Sequence, residues 1–345
     1  MKDVGKSIKR KEDSKIKAIV MLSGGLDSTL AAKLILQQGI ELIAVAFKTP
    51  FCDFDCGKGC TYRVRDVADN LGIELRTIIL GDEYIELIKN PKYGYGSGMN
   101  PCIDCRIMMF RRAKELMEKI GASFIVTGEV LGQRPMSQNA KAMKIIEREA
   151  GVEGYVLRPL SAKLLELTIP EKMGWVNREA LLAIRGRSRK AQIELAHKLG
   201  INEVPNPAGG CLLTDPAFSK RLKDLLQYNP NPTLNDIELL KLGRHFRLSS
   251  KAKLIVGRNK VENQKLLLLH SPSDFILEVE GFMGPISLLR GIVDNDLLNL
   301  AASITVRYSD APKDRSVMVN VKSEGKNWKL LANIIDEDKI KTYRI

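Results

Sequence analysis

The chain has 345 residues, 44% hydrophobic and 28% charged, enough for two to three domains with cores of their own and too apolar to be disordered as a whole. Fifty-four Lys and Arg against 41 Asp and Glu give a net charge of +13, which points to a polyanionic partner such as nucleic acid. No apolar run approaches the roughly 18 to 20 residues that cross a bilayer, and none follows the basic start, so neither a membrane span nor a secretory signal is read and the cytoplasm is the expected compartment.

In chain order, a charged tail over residues 1–16 precedes apolar, β-rich runs at 17–22, 41–47, 74–80 and 124–127, which read as strands. Helical periodicity fills 29–38, stopped by Gly39, and 103–120, stopped by Gly121. Strands alternating with helices predict an α/β fold, a doubly wound parallel sheet, over 17–228. Pro230 and Pro232, with their neighbouring asparagines, mark a joint. Short strands mixed with helices at 259–270 and 293–302 then predict a smaller α+β domain over 233–345, expected to bind RNA. Residues 239–261 carry seven basic side chains and no acidic one.

Six cysteines are too few for a disulfide framework. Cys52, Cys56 and Cys60 recur every four residues in a loop, where they read equally as metal or sulfur-relay thiols and as plain loop thiols. Cys102 and Cys105 form a Cys-x-x-Cys opening a helix, and Cys211 stands apart. Three histidines, none beside a candidate nucleophile, exclude His-based triads and H-E-x-x-H metal sites.

The strongest motif is Ser23-Gly24-Gly25-Leu26-Asp27-Ser28 at the end of the first strand. Paired glycines bring backbone N–H groups close to an anion, Ser23 and Ser28 add hydroxyls, and the following helix N-terminus adds its dipole. Asp27 in such a cradle makes sense if it holds Mg²⁺ against a polyphosphate. Neither the Walker A pattern nor G-x-G-x-x-G occurs. Thr127, Gly128 and Gln133, leaving a later strand, should line the same crevice at the strands' C-terminal ends.

The hexapeptide resembles the PP-loop signature of the N-type ATP pyrophosphatases, a family with an adenine nucleotide α-hydrolase-like sheet whose members split ATP by adenylating a substrate oxygen. Residues 127–138, 105–109 and Arg158-Pro159-Leu160 resemble the ThiI-like 4-thiouridine branch of the tRNA thiolation enzymes. Asn100-Pro101, Cys105 and Gly210-Cys211 are similar to MnmA-like 2-thiouridylases. Gly243-Arg244-His245-Phe246 and Val256-Gly257-Arg258-Asn259-Lys260, with Glu262-Asn263, resemble NFACT-type RNA-binding domains. The chain departs from the ThiI-like pattern in having no room for a THUMP-type region before Lys17.

The resemblance implies an ATP-dependent tRNA sulfurtransferase that replaces a uridine carbonyl oxygen by sulfur, with 4-thiouridine at tRNA position 8 the expected product. ATP and Mg²⁺ would sit at Ser23, Gly24, Gly25, Asp27, Ser28, Thr127, Gly128 and Gln133, with Asp27, Cys105 and Cys211 as the catalytic side chains. Cys102, Cys105 and Cys211 are expected to hold a 4Fe-4S cluster, with a persulfide and disulfide pair, or zinc, as alternatives. The sulfur would come from sulfide or from a cysteine desulfurase persulfide. Arg187, Arg189 and Lys190, within the basic run 185–190, and Arg244, Arg247, Arg258 and Lys260 are the expected RNA contacts. Other readings are a 2-thiouridylase, a PP-loop ligase or amidotransferase, and a non-catalytic nucleotide-sensing RNA-binding protein. Oligomeric state is not legible in the sequence.

Overall fold

The computed structural model describes residues 16–52, 60–201 and 211–345, with the backbone alone over 60–63. The chain forms two compact units: the first comprises residues up to Leu80, Asn90–Gly96 and Pro101–Gly210, and the second Gly81–Lys89, Ser97–Asn100 and Cys211–Ile345. Among the described residues no helix is long and apolar enough to cross a membrane.

The first unit is built on five parallel strands, β1 (Lys17–Met21), β2 (Glu41–Lys48), β3 (Glu74–Ile79), β4 (Phe124–Thr127) and β5 (Val156–Leu157), in the order β3-β2-β1-β4-β5. β1 lies at the centre, with Ile19 in register with Ile43 of β2 and Ile125 of β4. Its near-continuous apolar run follows from burial on both faces. Ala18 and Val20 pack with α1 (Leu26–Leu36) and α2 (Cys60–Leu71). Ile19 and Met21 pack with α4 (Cys102–Ile120) and α5 (Ala140–Ala150). α6 (Ile169–Lys172) and α7 (Lys190–Lys198) complete this unit.

The chain runs outward from β1 through β2 to β3 and then returns to the other side of β1 as β4. The order therefore reverses between β1 and β4, and a crevice is expected there at the strands' C-terminal ends. Both the 23–28 loop and the 127–133 loop leave the sheet at that point.

In the second unit an antiparallel sheet runs β11-β10-β8-β9-β7-β6. Its strands are β6 (Arg244–Ser249), β7 (Ala252–Val256), β8 (Phe275–Val279), β9 (Ser287–Gly291), β10 (Val317–Ser323) and β11 (Lys326–Ala332). The helices are α3 (Asp82–Lys89), α8 (Pro216–Tyr228), α9 (Leu234–Leu240), α10 (Lys260–Leu269), α11 (Asn295–Arg307) and α12 (Glu337–Tyr343). α11 lays Leu298, Ala301, Ala302, Ile304 and Val306 on a core with Phe246, Leu254, Leu277 and Leu289. It extends past the predicted end at 302 because Ile304 and Val306 are buried as well.

This unit begins earlier than the Pro/Asn-rich joint suggests, because α8 packs on α9 and its Asp224 pairs with Arg247 of β6 and Lys253 of β7. Segment 97–100 also belongs here. Gly98, at φ +65°, leaves no room for a Cβ, which would fall 2.3 Å from the Leu213 carbonyl oxygen.

Candidate active site

The phosphate cradle is held open by its own polar groups. Gly24 takes φ 71°, a left-handed conformation that glycine adopts without cost, and Gly25 caps α1 without a side-chain acceptor of its own. The Ser28 hydroxyl donates to the Gly25 carbonyl at 2.9 Å and accepts from the Ser23 amide at 3.2 Å, so Ser28 closes the loop before it contacts any ligand. Ser23 is exposed at the rim, its hydroxyl 3.1 Å from that of Ser28.

The second loop docks against this cradle. Gly128 approaches the first turn of α1 so closely that a Cβ would lie 2.4 Å from the Ser28 amide nitrogen and 2.5 Å from the Asp27 carbonyl carbon. Thr127 is buried, and its hydroxyl accepts from the Glu129 amide at 2.9 Å. Gln133 donates through Nε2 to Asp27 Oδ2 at 2.9 Å. Asp27 Oδ1 is buried and, among the described residues, has no hydrogen-bond partner. The structure thus brings together Ser23, Gly24, Gly25, Asp27, Ser28, Thr127, Gly128 and Gln133. A buried carboxylate oxygen with no donor, beside a phosphate cradle, fits a hard divalent cation such as Mg²⁺ with Asp27 as its protein ligand.

A buried charged network joins segment 127–138 to Arg158-Pro159-Leu160. Glu129 and Arg158 are both almost fully buried and pair at 3.0 Å; Arg158 also meets Glu147. Burial works against the Arg158 charge, but the two carboxylates outweigh it and hold its pKa above the ordinary arginine value. Arg106, next to Cys105 in α4, reaches the other Glu129 oxygen at 3.4 Å. Glu129 thereby joins the 127–133 loop to the helix that carries Cys102 and Cys105. The signal was present as a charged residue in each of two otherwise apolar stretches, at Glu129 and at Arg158.

Cys102 and Cys105 occupy the first turn of α4, half-buried, while Cys211 belongs to the second unit at the start of the turn Leu212–Thr214. Among the described residues no three His, Cys, Asp or Glu side chains are gathered as metal ligands. Cys102 and Cys105 thus belong to the first unit and Cys211 to the second. Cys56 and Gly210 lie outside the described residues, as does the side chain of Cys60.

The basic run 185–190 reaches the crevice through the backbone: Gly186 N donates to the Leu131 carbonyl at 2.8 Å, beside Gly132. Arg187 and Lys190 beyond it are exposed, and Arg189 is half-buried.

In the second unit the basic stretch is largely spent on internal pairs. Arg247 makes two bonds to Asp224, at 3.0 and 2.6 Å, Lys253 a third at 3.1 Å, and Arg258 grips Glu262. Arg244 lies 4.7 Å from the centre of the Tyr308 ring, and Lys260 is exposed. His245 is buried, and burial pushes its imidazole well below the ordinary value, with Lys253 and Arg221 adding to the effect.

Comparison with known proteins agrees with this division. Residues 14–164 match the family model described as thiamine biosynthesis protein (ThiI), and residues 243–344 match that of the NFACT protein RNA binding domain. Residues 14–164 are thus similar to ThiI-type domains and residues 243–344 to NFACT-type RNA-binding domains. The tRNA-specific 2-thiouridylase MnmA of Bordetella pertussis is 25% identical over 245 residues, 68% of this chain and 63% of that one. That of Pseudomonas putida (strain GB-1) is 26% identical over 250 residues, 69% and 63%. The chain thus spans about 63% of the length of these curated relatives. A crystal structure of a 4-thiouridine synthetase in complex with RNA and ATP is 25% identical, with a TM-score of 0.39, covering 65% of this chain and 52% of that one. The ThiI-type match contains the cradle, the Cys-x-x-Cys helix, Glu129 and Arg158; the NFACT-type match contains Arg244, Arg247, Arg258 and Lys260.

Proposed function

We propose that the protein is an ATP-dependent tRNA sulfurtransferase that makes a thiouridine, 4-thiouridine at position 8 being the first product to seek. The observation that carries this reading is the buried, donorless Asp27 Oδ1 inside a glycine-built cradle. That arrangement suits the polyphosphate of ATP with its cation. The similarity to tRNA-specific 2-thiouridylases supports a tRNA uridine as the acceptor, and the NFACT-type match supports an RNA substrate.

ATP binds with its phosphates on residues 23–28, where Asp27 holds Mg²⁺ and Gln133 fixes the Asp27 carboxylate. Asp27 would hold a Mg²⁺ that, when bound, would offset the charge on the departing pyrophosphate. The uridine carbonyl oxygen attacks the α-phosphorus; the bond to the β-phosphate breaks and pyrophosphate leaves. The outer sulfur of a persulfide on Cys105 then attacks the activated ring carbon, and AMP departs with the original oxygen. The Cys102 thiolate, one helical turn away, attacks Cys105 Sγ, closing a disulfide and leaving the sulfur on the base. Hydrosulfide attack on that disulfide restores the Cys105 persulfide and the Cys102 thiolate. A desulfurase persulfide is the other source, after a dithiol has reduced the disulfide.

The test is incubation with tRNA, Mg²⁺, ATP and sulfide, followed by digestion and mass spectrometry of the nucleosides. A thiouridine is expected, and its chromatographic identity separates the 4-thio from the 2-thio product. Pyrophosphate release with no sulfur in the RNA overturns thiolation in favour of ligase or amidotransferase chemistry. Cys102→Ala, Cys105→Ala and Cys211→Ala identify the working thiols: loss with Cys105 and Cys211 but not Cys102 transfers the resolving role to Cys211.

A further inference from the structure

The second unit contains a cavity of about 170 Å³ between α8, α9 and strands β6, β7 and β9, separate from the cradle in chain and in chemistry. We propose that it binds one unpaired nucleotide of an RNA strand, with the phosphate on Lys251 and Lys253 and the base against Tyr228 and Arg247. The proposal rests on the RNA-binding part of the reading above and specifies which feature of the RNA this unit takes.

Four observations carry it. Leu225, Leu239, Leu240 and Ile255 give the cavity an apolar lining, and Arg247, Lys251, Lys253 and Arg290 add cationic groups. Positive charge is under-compensated on one side. Arg247 and Lys253 share the single carboxylate of Asp224, Lys251 is exposed, and the one acid lining the cavity, Asp236, is already held by Arg290 at 2.8 Å. An anion placed beside Lys251 and Lys253 relieves that imbalance.

The third observation is a stacking surface. The Arg247 guanidinium lies 4.5 Å from the centre of the Tyr228 ring, and Tyr228 is 41% exposed. A guanidinium held over an aromatic ring forms a platform on which a base of any identity stacks. The fourth is size. A volume of 170 Å³ falls well below the roughly 300 Å³ at which pockets take drug-sized ligands, so one ring-sized group enters. A base inside an RNA helix is stacked and paired on both sides and cannot reach such a cavity, so the proposal commits to an unpaired nucleotide.

The experiment measures binding of the full chain to a fluorescein-labelled RNA hairpin with a single-stranded tail and to the same hairpin without one, by anisotropy across a salt series. The wild type is expected to prefer the tailed hairpin. Tyr228→Ala should weaken that complex roughly tenfold and leave the blunt complex unchanged, while Tyr228→Phe retains the preference. Lys251→Ala should weaken the tailed complex and reduce its salt slope by about 1. Thermal melting of each variant shows that it remains folded. Equal loss on both RNAs, or no preference in the wild type, overturns the proposal. So does uridine monophosphate binding as tightly as the tailed hairpin, which makes the cavity a free-nucleotide site.

Thionucleoside formation by the wild type reports on the sulfurtransferase reading separately. A chain that thiolates tRNA but shows no tail preference discards the cavity alone. A chain that prefers the tail but never thiolates keeps the cavity and discards the reading.

Discussion

Gly128→Ala probes the contact that aligns the two halves of the cradle. A methyl group there would lie 2.4 Å from the Ser28 nitrogen, 2.5 Å from the Asp27 carbonyl carbon and 2.6 Å from Ser28 Cα. Ordinary contact begins near 3.4 Å, so the two backbones must part by about 1 Å. No flexible side chain can absorb the shift, because all three atoms are backbone in the first turn of α1. Overpacking of this kind costs about 1 to 3 kcal/mol of stability. It also draws Asp27 away from Gln133, whose 2.9 Å bond has little slack. A misplacement of about 1 Å at a reacting site costs on the order of a hundredfold in rate. Melting temperature, ATP affinity by calorimetry and single-turnover pyrophosphate release should therefore all fall. A variant that melts and binds ATP as the parent does would show that the cradle tolerates a methyl group at position 128.

Three further outcomes follow from buried charge. Arg158→Met strips Glu129 of its nearest cation and Glu147 of its guanidinium partner, and should cost about 3 to 5 kcal/mol in urea unfolding of the first unit. Glu129→Gln, which keeps a hydrogen-bonding side chain, should cost less, and the reverse order would contradict the network. Lys253, pushed down by burial to a pKa of about 8, is charged at neutral pH at an energetic cost. Lys253→Met should then be within about 1 kcal/mol of neutral, since Asp224 keeps two bonds from Arg247, whereas Arg247→Met should cost about 2 to 4 kcal/mol. His245 stays neutral in the folded state while the unfolded chain takes up a proton below its ordinary value of 6.5. The unfolded state binds more protons there, so stability rises with pH and is lost as pH falls below about 6.5. His245→Gln should flatten that dependence, which melting curves across this range would reveal.

Much of the first unit was legible because its signals are local. Apolar runs, glycine stops and the Ser-Gly-Gly-x-Asp-Ser loop each follow from residues adjacent in sequence, and the crevice at the β1/β4 reversal follows from parallel topology. What escaped depends on pairing across the chain. Asp27 and Gln133 are 106 residues apart, and Arg158 and Glu129 are 29 apart. No spacing rule predicts that Gly128 faces the backbone of Ser28. The domain limit was read from Pro230 and Pro232, yet α8 joins the second unit through Asp224, a single carboxylate whose partners lie in later strands.

The same distinction governs the basic stretch 239–261. As a sequence it is seven cations without an acid, and all seven appear available to a polyanion. Folding assigns Arg247 and Lys253 to Asp224, Arg258 to Glu262 and Lys241 to Glu238, each carboxylate supplied from outside the stretch or from its edge. An arginine held bidentately by a carboxylate contributes little long-range field but is fixed in orientation, which suits stacking better than charge attraction. Steering of an RNA then falls to Arg244, Lys251 and Lys260, while Arg247 acts as an oriented surface over Tyr228. Charge reversal at Lys251 and Lys260 should accordingly change association rate and salt slope more than reversal at Arg258, whose charge Glu262 already offsets. Stopped-flow binding of a labelled tRNA measures both, and an Arg258 effect equal to that of Lys260 would show that the Glu262 pair opens when RNA arrives.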